Sequence, residues 1–131
     1  MARRDPAGWR GVLLTGPSGA GKSDIALRLI ATGWRLVADD YADVWVSGDH
    51  LYAGAPTAIA GRIEARGLGI VDAPALAMSR IVLVANCVQA EPERMPEPVW
   101  EDILAVRVPR LDLDIRPASA TATLGHAMDR L

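Results

Sequence analysis

The sequence predicts one α/β domain built on a mixed sheet. Three observations carry that prediction. A short apolar run, Val12-Leu13-Leu14, leads through a glycine-rich turn into an amphipathic stretch at 23–30, the strand–turn–helix order of α/β proteins. A second run, Ile81-Val82-Leu83-Val84-Ala85, is apolar throughout, as a strand buried on both faces requires. Between them, Ser47-Gly48-Asp49-His50 separates Val44-Trp45-Val46 from Leu51-Tyr52-Ala53. That is a hairpin signal, and it makes the sheet mixed.

The elements follow in chain order. Residues 1–10 are polar and punctuated by Pro and Gly, and read as a flexible, exposed leader. Gly11–Thr15 is the first strand. Ser23–Ile30 is a helix, with Ile25, Ala26, Leu29 and Ile30 at helical spacing and Gly33 closing it. Arg35–Ala38 is the next strand and ends in Asp39-Asp40. The hairpin at 44–53 is followed by a turn or short helix at Pro56–Gly61. Ile63–Val71 is a strand region interrupted by glycines. Arg80–Val88 is the most apolar strand and belongs at the centre. Glu91–Pro98 holds three prolines and is a loop. Val108–Ile115 alternates as a half-exposed strand does. Ser119–Leu131 is a terminal helix with Leu124, Met128 and Leu131 on one face.

Composition narrows the function. The chain has 131 residues and 50% are hydrophobic, so one packed domain spanning 1–131 is expected. That length leaves room only for a reduced form of the common nucleotide-binding α/β folds. The net charge of −2 gives no basic excess for a phosphate backbone, so no nucleic-acid partner is expected. No run approaches the ~20 apolar residues of a membrane span, so no membrane partner is expected. The single cysteine, Cys87, cannot form an internal disulfide and fits a reducing cytoplasm. Among 14 basic residues the only lysine is Lys22. A lysine is a compact, flexible point charge, which arginine is not.

Lys22 lies in the sharpest motif. Gly16-Pro17-Ser18-Gly19-Ala20-Gly21-Lys22-Ser23 matches G-x-x-x-x-G-K-[ST], the phosphate-binding loop. Glycines let backbone N–H groups turn inward around phosphate oxygens. The helix that follows directs its positive dipole end at the anion. Lys22 is placed to bridge the β- and γ-phosphates, and the Ser23 hydroxyl to ligate Mg²⁺.

Asp39-Asp40 ends the strand expected directly after this helix. Ligands of open parallel sheets sit at the carboxyl ends of strands, so both carboxylates are expected beside the loop. There one could hold a metal or take a proton from an attacking hydroxyl. A third segment, Gly61-Arg62-Ile63-Glu64-Ala65-Arg66-Gly67-Leu68-Gly69-Ile70-Val71, sets a carboxylate and a guanidinium on one side of an extended strand and then bends at glycines. Read alone, it is equally an edge strand with a surface ion pair. His50, His126 and the four tryptophans carry no comparable pattern, and Cys87 reads as a core residue.

Together the three segments resemble the HPr kinase/phosphorylase family, in its C-terminal catalytic domain and short form. The resemblance rests on Gly16–Ser23, on Leu36-Val37-Ala38-Asp39-Asp40, and on Glu64-Ala65-Arg66-Gly67-Leu68-Gly69-Ile70, which looks like that family's signature. It runs from about Gly11 to Val88 and continues more weakly through Glu93-Arg94-Met95 and Ile115-Arg116-Pro117. It implies a core like that of phosphoenolpyruvate carboxykinase, with hairpin insertions. It implies ATP and Mg²⁺ as cofactors, HPr as protein substrate, and a homo-oligomer, specifically a hexamer. By the same resemblance Asp39 is the general base toward a serine hydroxyl, and Asp40 the partner of a family histidine. Arg94 stands near the transferred phosphoryl group, Ser23 and Glu64 hold the metal, and Arg66 anchors the signature loop. The sequence departs from the family where that histidine falls on Met1, and where Ala118-Ser119-Ala120 replaces Gly-Arg-Asn. The first reading is therefore an ATP-dependent serine kinase with a possible reverse phosphorylase activity. The alternatives are a nucleotide-binding regulatory module, or degenerate kinase, and a kinase for another protein or a small hydroxylated molecule.

Overall fold

A computed structural model describes residues 1–131. Its strands are β1 (Ala2–Asp5), β2 (Gly8–Thr15), β3 (Asp43–Ser47), β4 (His50–Gly54), β5 (Arg62–Ala65), β6 (Gly69–Asp72), β7 (Met78–Val88), β8 (Val99–Ile103) and β9 (Val106–Asp114). Two helices, α1 (Lys22–Ile30) and α2 (Ala120–Asp129), complete it, with a single 3₁₀ turn at Thr57–Ile59. Seven strands form one mixed sheet and β5–β6 form a separate ribbon.

The apolar run over 81–85 is central, as its composition predicts. β7 pairs in parallel with β2 on one edge. On its other edge it pairs antiparallel with β4 at Met78–Arg80, then in parallel with β9 at Val84–Val88. β2, β7 and β9 therefore end at the same edge of the sheet, above which Gly16–Ser23 turns into α1. Ile25 and Leu29 of α1 and Leu124 and Met128 of α2 are each 0% exposed, and they pack with Val12, Leu83, Ala85 and Leu113 into one core. Burying a side chain of that size contributes about 1.5–3 kcal/mol. A smaller core on the sheet's other side joins Ala2, Val37, Leu51, Ala53, Ile81, Val84 and Val108. No helix is long and apolar enough to cross a membrane.

Two expectations need correction, and a third stretch, left unassigned by the sequence, forms regular structure. Residues 1–10 are not a flexible leader. β1 pairs antiparallel with β2, and Met1 and Ala2 are buried. The charges that suggested solvation are bound instead. Arg3 donates to Gly125 O at 3.1 Å and Asp129 at 2.6 Å, and Arg10 donates to Asp5 and to Met128 O. Asp5 also accepts the Ala7 N–H at 2.8 Å, which closes the Pro6-Ala7 turn as Asp side chains commonly do.

Second, Arg35–Ala38 is not a ladder strand. Arg35 bridges Ala2 and Leu36 bridges Ala75, with nothing beyond. Leu36 N donates to Pro74 O and Leu36 O accepts from Leu76 N, both at 2.8 Å. The segment is thus held between β1 and the 74–76 stretch and never enters the main sheet. Third, the stretch Val99–Arg107, unassigned from the sequence, forms β8 and the start of β9 around a turn of Leu104-Ala105. Both turn residues have positive φ, 50° and 65°, a conformation usually marked by Asn-Gly.

Candidate active site

The Gly16–Ser23 loop is shaped by backbone geometry. Gly16, Gly19 and Gly21 have φ of 136°, 81° and 96°, where a Cβ is strained. Space is tight at both ends as well. A Cβ on Gly16 would lie 2.9 Å from Cys87 O, and one on Gly21 2.6 Å from Ile115 Cδ1. Lys22 folds over the loop, donating from Nζ to Gly16 O at 2.6 Å and Pro17 O at 2.9 Å. Cys87 is in the core, 1% exposed. Burial pushes its thiol pKa up, with the nearby Lys22 charge opposing.

The acidic pair lies beside the loop, though on a bend and not at a strand end. Asp39 is the junction. Its Oδ1 accepts the Ser23 hydroxyl at 2.9 Å and its Oδ2 accepts the Glu64 main-chain N–H at 3.0 Å. One carboxylate thereby joins the glycine loop, the acidic pair and the 61–71 segment. Asp40 is exposed with φ of 63°. A cavity of about 320 Å³ opens here, walled by Met1, Leu13, Lys22, Asp39, Asp40 and Tyr41 among others.

Glu64 sits on β5, and Arg66 in the turn before β6. Gly67 and Gly69 bend this ribbon with φ of 92° and 100°. Ile63 and Ala65 face inward, 1% and 8% exposed, and the alternation leaves Glu64 outward. Glu64 and Arg66 form no ion pair with each other. Ser23 Oγ and the Asp39 carboxylate lie together, and with the carboxylate of Glu64 on the neighbouring strand they are the oxygen ligand types that suit a hard cation such as Mg²⁺. That ion takes one or two carboxylates and keeps waters and phosphate oxygens, so a dense ligand cluster is not required. No ion pair ties Arg94 to the loop. It lies in the exposed 89–98 connection.

Three contributors escaped sequence reasoning. Gln89 donates to Ala20 O at 3.4 Å. Arg28 donates to the carbonyls of Ile115 and Pro117 and so fixes the turn that packs on Gly21. Asp114 takes both Nε and Nη2 of Arg116 at 2.9 Å in a fork; Arg116 holds the carboxyl below its ordinary range. The first two have backbone carbonyl partners, which leave no trace in a sequence. The Asp114…Arg116 spacing was visible, but ion pairs of that spacing are common on strands.

This arrangement can be set against known proteins. Residues 8–129 match the family model described as HPr Serine kinase C-terminal domain. HPr kinase/phosphorylase of Clostridium tetani is 36% identical over 129 residues, covering 89% of this chain and 42% of that protein. The Clostridium novyi protein of the same name is 39% identical over the same shares. The chain thus spans about two fifths of the length of these curated relatives. The solved Hpr(Ser) kinase/phosphatase of Coxiella burnetii is 29% identical, with a TM-score of 0.75, covering 92% of this chain and 81% of that one. With the match running through the glycine loop, the acidic bend and the β5–β6 ribbon, this chain belongs to the HPr serine kinase C-terminal domain family.

Proposed function

We propose that this domain is a cytoplasmic, ATP- and Mg²⁺-dependent protein serine kinase acting on the phosphocarrier HPr, built on a phosphoenolpyruvate carboxykinase-like core. Phosphorolysis would use the same groups: inorganic phosphate attacks the serine-bound phosphorus, the bond to the serine oxygen breaks, that oxygen takes its proton back from Asp39, and pyrophosphate leaves. The observation that carries the reading is the Asp39 carboxylate, held between Ser23 Oγ at 2.9 Å and Glu64 N at 3.0 Å. It sets a base beside a loop shaped for phosphates.

Each group has one task. The loop amides and the α1 N-terminus bind the triphosphate. Lys22 exchanges its bonds to the Gly16 and Pro17 carbonyls for phosphate oxygens. Ser23 and Glu64 hold Mg²⁺, which neutralises charge on the phosphates when bound. Turning the Ser23 hydroxyl away frees Asp39 Oδ1, while the Glu64 N–H keeps Oδ2 anchored. Asp39 then takes the proton of the acceptor serine hydroxyl. The serine oxygen forms a bond to the γ-phosphorus, the bond to the bridging oxygen breaks, and ADP leaves. Arg94 swings in from its exposed loop to meet the three equatorial oxygens. A second reading, a nucleotide-binding regulatory module, is favoured by Met1, which walls the cavity beside Asp40 where the resemblance calls for a histidine.

The test is single-turnover transfer from ATP to purified HPr. Asp39→Asn should slow transfer about 10²–10⁴-fold, the usual share of a general base, with ATP still bound. Asp40→Asn should cost far less, having no histidine to orient. Equal losses would move the base to Asp40. ATP binding by the unmodified chain without transfer to HPr would favour the regulatory module.

A further inference from the structure

The glycine loop is held differently at its two ends. At Gly16 the space that a Cβ would need is taken by Cys87 O, 2.9 Å away. That is a backbone atom of β7, the central strand, which is paired with both β2 and β9. At Gly21 the space is taken by Ile115 Cδ1, 2.6 Å away. Ile115 is buried but lies just past the end of β9. Its N–H still reaches Val88 O, at 3.4 Å, beyond the usual range of a backbone hydrogen bond. The sheet therefore fixes the first end directly and hardly holds the second.

What holds the second end comes from the helix that the loop itself begins. Arg28 stands in the last turn of α1. It donates from Nη2 to Ile115 O and from Nη1 to Pro117 O, the latter at 3.3 Å. Its Nε lies 3.2 Å from Asp24 Oδ2, one helical turn back. A guanidinium suits this place, because its planar fork gives two bonds in a fixed direction. The contacts close a circuit. Gly21 opens α1, α1 carries Arg28, Arg28 grips the 115–117 turn, and that turn sets Ile115 against Gly21. Glycines that let phosphates approach closely also lose the most conformational freedom when ordered. A loop ordered before its ligand arrives avoids that cost at binding.

We propose that Arg28 is a positioning residue of the nucleotide site. It acts without contacting the phosphates, through Ile115 on Gly21, and so sets the amides of Gly21 and Lys22 for the anion. The inference rests on the reading of Gly16–Ser23 as a triphosphate loop. It adds to that site a residue outside the motif, at the far end of the helix.

The test is a double-substitution cycle on the full chain. It is read by calorimetric titration with ATP and with inorganic tripolyphosphate, well below the melting temperature of every variant. Arg28→Met keeps the apolar stem and removes the donors. Ile115→Val removes Cδ1, keeps the carbonyl, and is among the mildest core truncations. Each should weaken both ligands roughly tenfold, within the range for residues coupled through packed contacts. The two together should weaken them no further than the larger single loss, because both cut the same circuit. Arg28→Lys, which keeps a donor, should recover part of the affinity. In ligand-free ¹H–¹⁵N spectra Arg28→Met should shift the amides of Gly21 and Lys22, which a role in stability alone leaves in place. Unchanged affinity in Arg28→Met, unshifted Gly21 and Lys22 amides, or losses that simply add in the pair would each overturn the proposal. An unmodified chain that binds neither ligand would remove the triphosphate reading and this proposal with it, a result distinct from full affinity surviving in Arg28→Met.

Discussion

Lys22 and Arg94 are assigned to the same phosphoryl group, yet the fold treats their loops in opposite ways. The Gly16–Ser23 loop is fixed from several sides. Gly16 lies against Cys87 O and Gly21 against Ile115, Gln89 holds Ala20 O, and Lys22 itself bonds two loop carbonyls. The Glu91–Pro98 loop is exposed at every residue, and Arg94 has no ion-pair partner in it. Its prolines limit its conformations without tying it to anything. In the proposed reaction the first loop would supply position and the second would supply reach. A phosphate site needs preformed donors, because ordering them on binding costs affinity. A cation that meets the transferring group only in the transition state can be recruited late.

That contrast can be broken by separating affinity from rate. Lys22→Ala should weaken ATP binding about 10²-fold, since charge-assisted hydrogen bonds contribute roughly 1.5–3 kcal/mol each and no other lysine exists to substitute. Arg94→Ala should leave ATP affinity nearly intact while slowing single-turnover transfer about 10²-fold, as the loss of one transition-state donor does. Equilibrium ATP titration and rapid-quench transfer on both variants decide the matter. If Arg94→Ala loses as much ATP affinity as Lys22→Ala, the two loops do not divide the work.

A smaller effect is expected on the rigid side at Glu64. Its backbone anchors Asp39, but its side chain points outward. Glu64→Gln keeps the backbone bond and nearly the same volume, so the melting temperature should not move. The Mg²⁺ concentration for half-maximal transfer should rise roughly tenfold, in the range seen when a metal site loses a supporting group. An unchanged Mg²⁺ dependence removes Glu64 from the metal site.

The same contrast accounts for what was legible in the sequence. Gly16–Ser23, α1 and β7 were readable because local chemistry dictates them: glycines at positive φ, a helical apolar stripe, a continuous apolar run. The β3–β4 hairpin was readable from Gly48-Asp49. Arg35–Ala38 was misread because its apolar residues are buried by β1 and the 74–76 stretch, contacts distant in sequence. Arg3 and Arg10 look like solvated charges until α2 supplies Gly125, Met128 and Asp129 as partners. β8 and the start of β9 stayed hidden because Leu104-Ala105 is a turn without turn residues.

That turn yields a prediction of intermediate size. Left-handed backbone costs roughly 1–2 kcal/mol per ordinary residue, and Leu104 is 58% exposed, so little packing offsets the cost. Leu104→Asn with Ala105→Gly should raise stability by about 1–2 kcal/mol, allowing for the entropy that glycine adds to the unfolded chain. Urea melts would show it as a higher midpoint at unchanged slope. No gain would mean that Leu104 packs usefully where it is.

The smallest effect lies beneath the rigid loop. Thr15, Asn86 and Asp112 are register partners across β2, β7 and β9, in the row that ends at Gly16. Asn86 Nδ2 donates to Asp112 Oδ1 at 2.9 Å. This bond, with the Arg110 guanidinium beside it, holds the Asp112 carboxyl below its ordinary range despite some opposing desolvation. A carboxylate whose folded pKa is lowered adds stability that is present above its unfolded pKa and is lost as pH falls through the folded value. Asn86→Ala should therefore cost about 0.5 kcal/mol near neutral pH, the low end for one hydrogen bond because Asp112 is half exposed. The gap between variant and unmodified chain should narrow below pH ~4, where the carboxyl begins to protonate in the unfolded chain. Urea melts near neutral pH and at about pH 2.5 measure both ends of that titration. A gap that stays constant across the range would mean that Asn86 contributes through packing, and that the charge on Asp112 plays no part in holding the row beneath the loop.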